Sequence, residues 1–242
     1  KFKEKIMSRF ATAKALTVIV LAATLAAGCA TSAAPTMQTG PDAEISFDGL
    51  HRIDNSKAEM AWMRPDFDIS MYSKILPVSS GFEYRKTTNQ GRTQIERNRG
   101  GPFVISAEDR ERFEALVSEV FQEEFAQVQN WEFVTEPGPD VMIPRGGMLD
   151  VFSDVPPENL AGRSTMFVSA VGQATLVLEL RDSETNTVLA RSIDRRWAQR
   201  PGGQMMESNR VTNTAEVRRL IRMWAVRLRE GLDGFAEQAN NN

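Results

Sequence analysis

A single cysteine, Cys29, and a single histidine, His51, in 242 residues set the first limits on this chain. One thiol cannot close an intramolecular disulfide, so stability must come from the core. One imidazole cannot build a three-histidine metal site, and it leaves acid–base work to carboxylates, Lys or Tyr. Gly-rich phosphate loops are missing too: Arg145-Gly146-Gly147 and Pro201-Gly202-Gly203 lack the spacing of a Walker or dinucleotide fingerprint. There is no G-x-S-x-G elbow. Asp66 and Asp68 stand without the other ligand positions and the turn glycine of a calcium loop, and read as turn and cap residues. No metal and no cofactor is expected.

Positive charge is short once the N-terminus is set aside. The chain has 29 Lys and Arg against 32 Asp and Glu, and the first 28 residues carry five of the basic ones and Glu4 alone. What remains has a net charge of -7, from 24 basic and 31 acidic residues. Phosphate neutralisation drives general nucleic-acid binding, so nucleic acid is excluded as a partner.

Long apolar runs are also lacking. From Met7 a basic start, MSRFATAK, leads into ALTVIVLAATLAAG, 14 residues that end at Cys29. A helix crossing the hydrocarbon core needs roughly 20 apolar residues, so this run is the h-region of a secretory signal. KFKEKI reads as sequence upstream of the true start. Leu25-Ala26-Ala27-Gly28-Cys29 resembles the lipobox of bacterial lipoproteins, with the leucine one place upstream of the usual pattern. That resemblance implies cleavage between Gly28 and Cys29 and acylation, including palmitate, of Cys29. Ala30 stands where an aspartate would imply inner-membrane retention, so the expectation is an outer-membrane lipoprotein facing the periplasm. Residues 29–42 are expected as the lipidated cysteine and a flexible tether, 43–238 as one domain, and 239–242 as a disordered tail.

A composition of 41% hydrophobic and 25% charged residues predicts a packed fold in that domain. Ile45 to Pro65 has no clean period, and Arg64-Pro65-Asp66 marks a turn. Lys74 to Val78 predicts a buried strand, checked by Pro77. Residues 82–103 are Gly-, Asn- and Arg-rich and predict a long loop with a weak strand over 82–85. Ser106 and Asp109 form a capping box before a helix whose Phe113, Val117, Phe121 and Phe125 make a core stripe. Short strands follow over Trp131 to Thr135 and Val141 to Phe152, the second broken at Gly146-Gly147.

The clearest local signal is a hairpin of Gln173 to Arg181 and Thr187 to Arg195, with Ser183 opposite Thr187 and an exposed Glu179–Arg191 pair. A last helix begins near Asn213, with Glu216 completing a cap, and places Val217, Ile221, Trp224, Leu228 and Leu232 on one face. The fold class is α+β, a mostly antiparallel sheet with two amphipathic helices packed on one face.

The tract Ala161 to Arg196, with the stretch from Phe47 through Trp62-Met63-Arg64-Pro65 to Lys74-Ile75-Leu76, resembles the bacterial lipoprotein family known as domain of unknown function 3313. Asn186, where a glycine is common, and the polar loop from Thr87 to Arg99 are departures. The resemblance implies a small periplasmic α+β lipoprotein and carries over no catalytic residues.

These readings predict a membrane-anchored, non-enzymatic interaction or envelope-structural protein, with the bilayer and an envelope protein as partners. The alternative is a cell-wall glycan binder or carboxylate-based glycan-cleaving enzyme, since paired acids suffice for that chemistry. Arg218, Arg222 and Arg229 fall on one stripe of the last helix, Arg219 further round, and form the candidate partner-binding surface.

Overall fold

Two prolines interrupt the sheet at the same level. In the computed structural model, which describes residues 33–87, 101–156 and 165–240 and the side chains through 237, β4 (Lys74–Ile75) and β5 (Val78–Tyr84) both run parallel to β7 (Val141–Ser153). Lys74 lies beside Val141 and Val78 beside Arg145, so the shared register sets Pro77 beside Pro144. Neither has an N–H to give, and the ladder lapses between β4 and β5. The expected end of the first strand at Pro77 is thus a gap, and the weak strand expected over 82–85 is the end of a longer β5 that starts at Val78. Residues 88–100 of the expected loop lie outside the described residues.

Among the described residues nine strands form one mixed, mostly antiparallel sheet in the order β1-β2-β3-β10-β9-β7-β4-β6, with β5 also on β7. Here β1 is Thr36–Met37, β2 His51–Asp54, β3 Met60–Met63, β6 Glu132–Phe133, β9 Ala170–Asp182 and β10 Val188–Gln199. β8 (Phe167–Val168) and β11 (Met206–Glu207) pair separately. The helices are α1 (Ala107–Phe125) and α2 (Arg210–Asn240), so the class is α+β. The chain divides into Lys1–Ala34 and Pro35–Asn242, and the elements named above belong to the second unit. The expected signal segment, with Gly28 and Cys29, lies outside the described residues.

Several expectations change. Thr36 and Met37, placed in the tether, pair with Asp54 and Ile53 of β2. β2 and β3 occupy a stretch with no visible period because both of their faces are half-buried. β7 runs unbroken through Gly146-Gly147, where a Cβ on Gly147 would stand 3.0 Å from that of Ser80; the glycines let β5 approach. Ser106 caps α1 as expected, its Oγ accepting from Asp109 N at 3.1 Å. α2 starts at Arg210, with Asn209 Oδ1 accepting from Thr212 N at 3.0 Å, and Glu216 is a buried ion-pair partner instead of a cap. It also continues to Asn240, past the expected start of the tail.

The core forms two clusters. Val120 of α1 and Ile221, Trp224 and Ala225 of α2 pack with Met148, Val151, Ala174 and Leu176. Leu228, Leu232 and Ala236 pack with Ile75, Met142, Leu180 and Leu189. Trp131 closes the second by donating its indole N–H to Leu232 O at 2.8 Å.

Candidate functional site

Charge on α2 is arranged in two flanks. On the first, Arg218 meets Glu119 at 2.8 Å, Arg222 meets Glu123 at 2.6 Å and Arg229 meets Glu124 at 3.0 Å. The first two pairs share one sequence offset, four residues on in each helix, so α1 and α2 run in the same direction at this seam. The arginine stripe expected to meet a partner therefore meets α1. Its basic residues fall together as the helical period predicts, and the acidic side of the seam was missed because nothing in the sequence joins Glu119 and Glu123 to them.

The second flank is a shallow groove of 840 Å³ between α2 and the β2–β3 turn, lined by Lys57, Arg218, Arg219, Arg222 and Arg227 around Ala215, Met223 and Val226. Arg219, which was set apart by helical angle, belongs to this wall, as does Lys57 from far away in sequence. Carboxylates lie underneath. Asp194 is 4% exposed and accepts from Trp224 Nε1 at 2.8 Å, from the Glu59 amide at 3.0 Å and from Arg227 at 3.3 Å. Glu216 is buried against Arg219 and holds Arg200 at 3.7 Å. A buried carboxylate without partners would be costly. Arg227 and Arg219 meet these two, and the two arginine side chains remain 33% and 43% exposed.

A second concavity of 280 Å³ opens between α1 and the strands beneath it. Val117, Phe121 and Phe125 of the expected core stripe form its wall and Gly146 and Gly147 its floor, so the stripe is both core and cleft lining. Its one carboxylate is Glu114, which accepts from Tyr84 Oη at 2.9 Å. Burial and the Glu114 charge push the Tyr84 phenol well above its ordinary range.

The opposite sheet face carries an ion cluster. Arg191 lies across the strands from Glu179, as the hairpin predicts, but the pair is 13% and 16% exposed instead of being a surface pair. Arg191 bridges Glu179 at 2.8 Å and Asp48 at 2.6 Å, and Arg181 adds a second contact to Glu179. Desolvation alone would raise both carboxyls; the arginine hydrogen bonds outweigh it and hold them below their usual range. A bulge between Val188 and Ala190 shifts the turn end, so Asp182 bonds Thr187 and Ser183 is not its partner. His51 Nδ1 stands 2.8 Å from Gln38 O, and Asp68 caps a turn by accepting from Ser70 N at 2.9 Å. Among the described residues no group of three His, Cys, Asp or Glu could hold a metal ion.

The family described as "Protein of unknown function (DUF3313)" matches residues 44–228. The chain belongs to that family. No curated protein matches this DUF3313 chain. Solved structures are distant. Protein XCC0632 from Xanthomonas campestris is 12% identical with a TM-score of 0.40, over 74% of this chain and 94% of that one. The PelC dodecamer from Paraburkholderia phytofirmans is 9% identical with a TM-score of 0.32, over 80% and 97%. Protein CT253 from Chlamydia trachomatis is 11% identical with a TM-score of 0.30, over 67% and 98%.

Proposed function

We propose that this DUF3313 protein is a lipoprotein held in the outer membrane by acylated Cys29, with a periplasmic domain that binds or braces envelope components without catalysing a reaction. The observation that supports a non-enzymatic role is the state of its carboxylates. Asp194, Glu124 and Glu216, the buried acids among the described residues, are each held by arginines of the fold. Glycan cleavage needs two carboxylates roughly 5–9.5 Å apart across a cleft. The cleft under α1 offers Glu114 with Ser79, Ser118 and Gln122. The same reading puts α1 and α2 on one face of the sheet, supported by Val120 and Ile221 sharing one cluster with Met148 and Leu176.

The test is acyl labelling of the whole protein beside its Cys29→Ser variant, followed by membrane fractionation and crosslinking pull-down. Label that disappears with Cys29→Ser, outer-membrane recovery and a crosslinked envelope protein are expected. A mature, unlabelled chain with a free thiol would overturn the anchor; hydrolysis of purified peptidoglycan would overturn the non-enzymatic role.

A further inference from the structure

We infer that the groove on the outer flank of α2 seats the head groups of anionic phospholipids, an inference that takes its geometry from the lipoprotein reading above. The first support is charge. Lys57, Arg218, Arg219, Arg222 and Arg227 line the groove against Glu230 alone, which Lys57 approaches to 3.4 Å. The acids that partner the other cations sit beneath them or on α1: Asp194 and Glu216 are nearly enclosed, and Glu119 and Glu123 lie across the helix seam. The Lys57 side chain is 73% exposed and those of Arg219 and Arg222 43% and 49%, so the concave surface presents part of each cation to solvent while it keeps its partner. Beyond residue 28 the chain is acidic, with 24 basic and 31 acidic residues, so an anionic bilayer repels most of its surface. A local basic strip then decides which side turns toward the lipid.

The second support is chain length. Residues 30–35 separate Cys29 from β1, and six residues reach at most about 20 Å. Thr36 pairs with Asp54 at the end of β2, and the turn that follows Asp54 carries Lys57, whose carbonyl accepts from Arg227 at 3.2 Å. An acyl anchor on Cys29 thus delivers the domain to the bilayer by the end of the sheet that holds the groove. Ala215, Met223 and Val226 supply an apolar base among the cations, and Val211, 79% exposed, continues the stripe one helical turn upstream. Basic rims over an apolar base suit the boundary between head groups and acyl chains.

The experiment uses the whole acylated protein with a fluorophore on a Val211→Cys variant, in vesicles of phosphatidylcholine with or without phosphatidylglycerol. Nitroxide-bearing head groups in the vesicles report proximity. Quenching that requires phosphatidylglycerol and is lost at high salt is expected. A second labelled variant, Lys57→Gln with Ala215→Glu, deletes one exposed charge and adds an opposing one; its quenching should fall to the phosphatidylcholine level with the unfolding midpoint retained. A probe on Ser79→Cys, at β5, should stay unquenched. Equal quenching of Val211→Cys in both vesicle types, with acylation intact, overturns the groove alone. Failure of acylation with phosphatidylglycerol-dependent quenching retained overturns the anchor alone. Quenching that ignores lipid charge, together with an acidic protein released by Ala215→Glu, assigns the groove to a protein partner and overturns the inference.

Discussion

Trp224 of α2 donates its indole N–H to Asp194 of β10 at 2.8 Å, the polar stitch that joins the last helix to the middle of the sheet. Both residues are buried, so the bond is made where water cannot replace it. Asp194→Ala strands Trp224 Nε1, the Glu59 amide and Arg227 together and is expected to cost about 3–5 kcal/mol in urea unfolding. Trp224→Phe keeps most of the ring and removes one donor, costing about 1–3 kcal/mol. Losses below about 0.5 kcal/mol for both would show that the stitch carries no stability.

Acid should weaken the cluster at Arg191. Asp48 and Glu179 have folded pKa values below their unfolded ones, so they bind fewer protons when folded and stabilise the fold fully above about pH 4–5. That contribution is lost as pH falls through their folded values. Arg191→Met removes the partner that holds both values down, so the folded values should rise toward the unfolded ones and the acid-driven loss should shrink. Denaturation curves from pH 3 to 7 check this; identical pH profiles for the variant and the parent would refute it.

The seam between the helices should contribute little by comparison. Arg218 and Glu119 are 34% and 52% exposed, and a double-mutant cycle on them is expected to give roughly 0.2–1 kcal/mol, shrinking with salt. Arg229→Met should cost more, because its partner Glu124 is buried. The reverse order would mean that packing of the arginine stems governs the seam.

Two glycines should respond with opposite signs. A Cβ on Gly172 would stand 2.3 Å from Phe152 O, so Gly172→Ala forces the β7–β9 pair apart and should cost about 1–3 kcal/mol. Gly231 lies inside α2 with nothing within 4 Å of such a Cβ, and Gly231→Ala should add about 0.5–1 kcal/mol. Thermal unfolding of the two variants reads both signs at once.

What could be read in the sequence was what short-range chemistry decides. The Ser106 cap, the hairpin that sets Glu179 opposite Arg191, and the apolar face of α2 through Ile221, Trp224 and Leu232 all came from neighbours a few residues apart. β2 and β3 show no period because residues on both of their faces are partly buried, which removes the alternation of a strand with one wet face. Glu216 resembled a cap only because capping and ion pairing use the same side chain. The groove is a long-range product, drawing Lys57 to Arg218 and Arg227 across more than half the chain, and helical angles alone separated Arg219 from it.

The short pairing of β1 with β2 also has a mechanical meaning. A pull on the chain upstream of Pro35 would reach the sheet through Thr36 and Met37, which pair with Asp54 and Ile53 in the first strand of the sheet order. Such a pull peels rather than shears, breaking one pairing at a time. The next firm hold is Asp48, paired with Arg191 at 2.6 Å beside the enclosed Leu50, so residues 36–47 can be drawn out before the core is strained. At about 3.5 Å per residue that frees about 40 Å of chain. The edge of the sheet is a slack reserve, spent under tension and rewound when the tension drops.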